Sequence, residues 1–238
     1  MAEVNGSVHS RALHSARPLS LGAVWIAAAV AWCGCAAAPA AAADRVDPGT
    51  QTSAPSNVDR LDGAALVQAL RRGGYVVYLR HTATDFSKND AAMQSYADCD
   101  HQRMLSATGQ RDARRIGQGV RALKLPVGEV LASPMCRTME TATLAFKQAT
   151  PRNDIREGAS GDYPGLKGLL STPVPQGSNR WIVGHGIPFR AVVGPPQLSE
   201  GEAVVLRPEQ GHWSVVARIA PDDWARLGAS KSAPPGGR

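Results

Sequence analysis

The sequence predicts an α/β domain with a largely parallel central sheet. Three short runs, YVVYL at 75–79, EVLA at 129–132 and WIV at 181–183, are apolar and rich in β-branched or aromatic residues, as buried strands are. Segments with helical periodicity lie between them, and strands that alternate with helices build a parallel sheet. Each run also gives way to polar or glycine residues on its C-terminal side, where chains of this class turn outward.

Taken in order, residues 61–72 place Leu61, Ala65, Leu66, Ala69 and Leu70 on one helical face and stop at Gly73-Gly74, a glycine terminator. The first strand follows, and residues 82–103 read as a polar loop. Ser106 is placed as N-cap of a helix over 107–123 whose apolar positions are Ala113, Ile116, Val120 and Leu123. Pro126 and Gly128 break the chain before the second strand. Ser133-Pro134 opens a helix with Met135, Met139, Ala142 and Phe146 on one face. Residues 158–177 read as loop with a weak helix around 166–170, and the third strand ends at Gly184-His185-Gly186. Residues 203–206 and 214–219, joined by a turn near Glu209-Gln210-Gly211, form a hairpin. No internal repeat is present.

Not all of the 238 residues belong to this domain. Residues 19–43 carry no charge, follow Arg11 and Arg17, and end in Ala41-Ala42-Ala43 before Asp44. A basic flank, an apolar stretch and small terminal residues describe a secretory signal, so residues 1–43 are expected to be a signal peptide. The alternatives are a retained membrane anchor and lipidation at Cys35. Residues 44–58 read as a flexible linker and 229–238 as a disordered tail, both poor in apolar groups and rich in Pro, Gly and Ser. Residues 59–228 remain as the domain, about 170 residues, enough for one hydrophobic core.

The formal charge of +6 favours anionic partners. Arg111, Arg114, Arg115 and Arg121 read as the solvated face of a helix, and aromatic residues are few and not interleaved with basic ones, which argues against nucleic acid. Of the four cysteines, Cys33 and Cys35 fall in the signal. Cys99 and Cys136 remain as a single pair, expected to form a disulfide in an oxidising periplasmic or secreted setting.

The chemistry lies where the three strands end. Arg80-His81 follows the first, Ser133 to Arg137 the second and Gly184-His185 the third, so two arginines and two histidines meet at one crevice. Arginine forks match phosphoryl oxygens, and Arg137 in the first turn of a helix adds backbone N–H groups and the dipole. A neutral histidine can attack phosphorus, and a second can donate to an oxygen as charge builds. Metal binding by His81, Asp85, His101 and His185 is the competing reading, but no H-E-x-x-H or Cys/His ligand spacing supports it. His101 and His212 read as surface residues.

YVVYLRHTATD resembles the first-strand motif of the histidine phosphatase superfamily, first branch, whose hallmark is an Arg-His pair after the strand. LSATGQRDARRIG resembles its intervening helix, SPMCRTMETA its second motif and WIVGHG its third. LSEGEAVVLRP resembles the terminal strand region of small periplasmic members. The resemblance implies a three-layer α/β/α sandwich of the phosphoglycerate mutase-like kind. It places Arg80, His81, Arg137 and His185 in the phosphate pocket, with phosphorylation of His81 on one ring nitrogen while the other bonds a backbone carbonyl.

It further implies a metal-independent phosphomonoester hydrolase that needs no cofactor, acting on a phosphorylated small molecule, glycolipid or phosphoprotein. Contact with a membrane is expected only transiently or through an uncleaved signal. Thr82-Ala83-Thr84 departs from the family's Gly or Ala followed by a polar or acidic residue. The proton donor to the leaving group is assigned to Glu157, with Asp85 as the competitor, while Glu140 reads as a helix-surface residue. The short segment between Phe146 and Trp181 leaves little material to cover the site. A metal-dependent hydrolase and a non-catalytic phosphate-ester binding module are the rival functions.

Overall fold

The computed structural model describes residues 60–158 and 161–227. The expected signal peptide, the linker and the tail lie outside the described residues, as do residues 59 and 228 at the ends of the expected domain. Among the described residues no helix is long and apolar enough to cross a membrane.

A six-stranded sheet runs in the order β3-β2-β4-β1-β5-β6, with β1 at Val76–Arg80, β2 at Val130–Ala132, β3 at Thr150–Pro151, β4 at Arg180–Gly184, β5 at Ala203–Glu209 and β6 at His212–Ile219. The pairs β1–β4, β2–β4 and β2–β3 are parallel, and β1–β5 and β5–β6 antiparallel. The helices are α1 at Gly63–Arg72, α2 at Ala107–Ala122, α3 at Cys136–Phe146, α4 at Pro164–Ser171, α5 at Gly186–Val193 and α6 at Asp223–Leu227.

Alternation along the strands divides the core into two. Val77, Leu79, Trp181 and Val183 face α1, α2, α3 and α6, packing on Leu66, Leu70, Ile116, Val120, Ala142 and Trp224. Val76, Tyr78, Ile182 and Val204 face the other way onto Leu166, Leu170 and Phe189 of α4 and α5. Both faces of β1 and β4 are therefore buried, which is why these strands read as continuous apolar runs rather than as alternating ones. The result is the expected three-layer α/β/α sandwich.

Most expected elements are present, some with shifted ends. The hairpin strands are longer than expected because β5 and β6 pair out to Glu209 and His212, around a tight Gln210-Gly211 turn in which Gly211 has φ +79°. Three elements were not expected. β3 is two exposed residues and contains a proline, so it has no strand signature beyond its place beside β2. α5 and α6 are eight and five residues long, too short for a periodicity to develop.

Two local features set the site in place. Ser106 caps α2 as expected, its hydroxyl accepting from the Gly109 N–H at 3.1 Å. A Cβ at Gly109 would overlap the Ala83 carbonyl, so the glycine lets the start of α2 rest directly on the backbone that follows His81. The Ser106 N–H donates to the same carbonyl at 3.0 Å.

Candidate active site

His81 lies one residue past the end of β1, where its N–H donates to the Gly184 carbonyl at 3.0 Å, continuing the ladder beyond the strand. The ring is 2 % exposed. Its Nδ1 stands 3.0 Å from the Thr82 carbonyl, which accepts only from a protonated Nδ1 and so fixes the tautomer that leaves a lone pair on Nε2. Burial pushes the ring down to a pKa of about 3, against the raising effect of the Thr82 carbonyl and with help from Arg137, Arg80 and Arg103. His81 is therefore neutral near pH 7.

His185 opens α5 from the end of β4, its ring centroid 5.5 Å from that of His81. Tyr78 holds its backbone: the phenol donates to the His185 carbonyl at 2.9 Å and accepts from the His185 N–H at 2.8 Å. A Cβ at position 184 would overlap that phenol, which explains why glycine precedes this histidine. Nε2 of His185 lies 2.8 Å from the buried Ser133 hydroxyl. Burial, then the neighbouring Arg137, hold this ring neutral as well.

Arg137 is the second residue of α3 and is 5 % exposed, with Nη1 donating to Asp90 at 3.1 Å. The same Asp90 oxygen accepts from the Arg103 N–H at 2.9 Å. Burial acts to raise the Asp90 carboxyl, but these donors outweigh it and hold the group below the usual carboxylate range. Arg80 donates to the Leu198 carbonyl at 2.6 Å and lies 3.5 Å from Glu200. Glu200 in turn accepts from the N–H and hydroxyl of Thr84 at 3.2 and 2.8 Å. It thus ties the segment after His81 to Arg80.

One pocket of about 330 Å³ is lined by Arg80, His81, Arg137 and His185 together with Arg103, Arg156, Tyr163, residues 186–188 and Gln197. The four residues expected at the phosphate position are together. Glu157 is not with them: its carboxylate accepts from the Tyr96 hydroxyl at 3.0 Å outside the pocket lining. The short turn at Asn153–Ile155 buries Ile155, and Arg156 rather than Glu157 reaches the lining. Asp85 is exposed and accepts from the Ser87 N–H, so it does not line the pocket either. Glu140 accepts from Gln110 on the outer side of α3 and is raised by partial burial.

Cys99 and Cys136 form a disulfide with Cα atoms 5.8 Å apart. It fastens the loop that carries Asp90 and Arg103 to the start of α3, beside Arg137. Among the described residues no group of three or more His, Cys, Asp or Glu side chains converges as a metal site. His101 pairs with Asp98 on the surface, and His212 with Glu209.

A buried neutral histidine beneath several guanidiniums, at the C-terminal ends of parallel strands, defines a site built to receive a phosphoryl group. The model of the histidine phosphatase superfamily, branch 1, matches residues 76–181, from the first residue of β1 into β4. No curated protein matches the chain. Solved structures similar to it include the protein histidine phosphatase SixA complexed with tungstate, at 15 % identity over 62 % of this chain and 97 % of that one, TM-score 0.44. A second is a SixA-type phosphohistidine phosphatase from Agrobacterium tumefaciens, at 19 % identity over 62 % and 98 %, TM-score 0.43. A third is a mycobacterial glucosyl-3-phosphoglycerate phosphatase with inorganic phosphate, at 16 % identity over 63 % and 99 %, TM-score 0.42.

Proposed function

We propose that the protein is an exported, metal-independent phosphohydrolase that carries the phosphoryl group on Nε2 of His81. The observation that carries this reading is the hydrogen bond from Nδ1 of His81 to the Thr82 carbonyl, which presents the Nε2 lone pair within the arginine-lined pocket. Arg80 and Arg137 would bind the non-bridging oxygens in forks, fixed from behind by Glu200 and Asp90. A Ser133 hydroxyl donating to Nε2 of His185 leaves the proton of that ring on Nδ1, ready for a phosphoryl oxygen as charge develops. Water then attacks phosphorus, the N–P bond breaks, and His81 returns to its neutral form.

Export rests on the uncharged segment at residues 19–43, and the Cys99–Cys136 bond suits an oxidising compartment. The test is chemical trapping. A phosphate-labelled aryl phosphate should leave acid-labile label on His81 of the wild type, and His81→Ala should take up none and lose turnover by about 10⁴-fold or more. Vanadate should inhibit and EDTA should not. Turnover by the Ala variant, or zinc-restored activity after EDTA, would overturn the reading.

A further inference from the structure

We infer that the bond cleaved here is a phosphoanhydride: the substrate presents the terminal phosphoryl group of a diphosphate, and Arg103 and Arg156 hold the phosphate that leaves. The inference rests on the proposed role of His81 and adds the substrate class.

Charge is the first ground. Arg80 and Arg137 each have a carboxylate behind them, Glu200 and Asp90. Arg103 and Arg156 line the same pocket, and among the described residues neither guanidinium has a carboxylate or hydrogen-bond partner. Arg103 sits over the exposed Phe86 ring at 4.6 Å, and Arg156 over Tyr96 at 5.9 Å. Stacking of this kind orients a guanidinium and leaves its N–H edge free. Nε of Arg103 is buried without a partner, as are those of Arg80 and Arg137, so the difference between the two pairs lies in the carboxylates. A single phosphoryl group has three non-bridging oxygens, and Arg80, Arg137 and His185 already supply donors for all of them. Two further unpaired forks match a second anion on the same molecule.

The absent acid is the second, independent ground. No carboxylate is among the pocket-lining residues. An alkoxide cannot depart without a proton, so an ordinary alkyl phosphate calls for a placed acid. A departing phosphate needs none, since its own second pKa is about 6. Cations aimed at the charge it gains do the work instead. A monoester bearing a carboxylate elsewhere satisfies the first ground but not the second.

The step balances without a proton donor. The Nε2 lone pair of His81 forms the N–P bond as the bridging P–O bond breaks, and the bond's electron pair leaves on the bridging oxygen of the released monophosphate. Water then adds to phosphorus, the N–P pair returns to Nε2, and both protons of the water stay with the dihydrogen phosphate formed.

The test uses the full chain with methyl diphosphate, methyl phosphate, phosphoglycolate and p-nitrophenyl phosphate. Expected is a kcat/KM for methyl diphosphate at least about 100-fold above that for methyl phosphate, and above that for phosphoglycolate. In Arg103→Gln and Arg156→Gln, the ratio of diphosphate to p-nitrophenyl phosphate turnover should fall by about tenfold or more each. Because the readout is a ratio, partial loss of folded protein does not imitate it. The inference is overturned, with His81 catalysis intact, if the aryl phosphate labels His81 while methyl diphosphate is no better than methyl phosphate. It is also overturned if phosphoglycolate is preferred, or if both arginine variants keep the wild-type ratio. If no probe is turned over and none labels His81, the proposed function fails and the inference falls with it.

Discussion

The floor of the site and its rim are built differently. The floor comes from strand ends: Arg80, His81 and His185 follow β1 and β4, held by the ladder contact from His81 to Gly184 and by the Tyr78 phenol. Both strands are buried on both faces, so the floor inherits its geometry from the core. The rim comes from segments without regular structure. Asp90 and Arg103 lie in the loop after β1, and Arg156 follows a single short turn. These are placed by side-chain hydrogen bonds, two arginine–aromatic contacts and one disulfide. The floor suits the chemistry shared by phosphoryl-transfer sites, and the rim suits what distinguishes one substrate from another.

If the rim depends on its covalent tie, removing that tie should give the largest change in stability. The disulfide closes a segment of 37 residues, worth about 4 kcal/mol in the chain-entropy model, less any native strain. Cys99→Ser with Cys136→Ser should lower the denaturant midpoint accordingly and weaken substrate binding, because Asp90 then loses its fixed station beside Arg137. A loss under about 1 kcal/mol would mean that packing alone holds the rim.

The floor is broken more locally. Tyr78→Phe removes one oxygen, strands the His185 N–H in a buried setting and leaves its carbonyl only the longer bond from the Phe189 N–H, at a cost of about 1–3 kcal/mol. Because His185 is displaced with its backbone, kcat should fall more than KM rises. An unchanged kcat in a destabilised protein would show that α5 alone positions the ring.

The same contrast governs how much was legible in the sequence. Strand ends carry a readable pattern, since an apolar run followed by Arg-His or Gly-His marks both the element and its exit. The arginine of α3 was legible from Ser-Pro and the helical period after it. Tyr78 and Ser133 were visible as a strand residue and a helix opener, but their bonds to His185 depend on neighbours 107 and 52 positions away. Asp90, Arg103 and Glu200 lie in irregular backbone, where no period relates a residue to its surroundings. Glu157 shows the cost of that. Adjacent residues after a short turn point different ways, and the sequence does not say which of Arg156 and Glu157 faces the pocket.

Ionisation sharpens the comparison further. His81 has a folded pKa of about 3 against an ordinary value near 6.5. Between those values the unfolded chain binds a proton that the folded one does not, so the contribution of this group to stability is complete above about pH 6.5 and is lost as pH falls toward 3. Ring-resonance titration should show His81 neutral down to about pH 4. Midpoint protonation of His81 near pH 6 would mean that the floor is wetter than its 2 % exposure implies.

The smallest expected effect is at Glu157, and it bears directly on how the leaving group departs. Its carboxylate is outside the pocket and accepts one hydrogen bond from Tyr96, which lies beneath Arg156. Glu157→Gln keeps an acceptor oxygen for that phenol, so the Tyr96–Arg156 contact survives and kcat should change by less than about threefold. The more telling quantity is the dependence of log kcat on leaving-group pKa across aryl and alkyl phosphates. A general acid flattens that slope, and removing it steepens the slope by slowing poor leaving groups selectively. Wild type and Glu157→Gln should therefore give the same steep slope, as a site without a lining carboxylate requires. A shallow slope that steepens in Glu157→Gln would make Glu157 the proton donor after all, and would mean that the rim turns it inward when substrate binds.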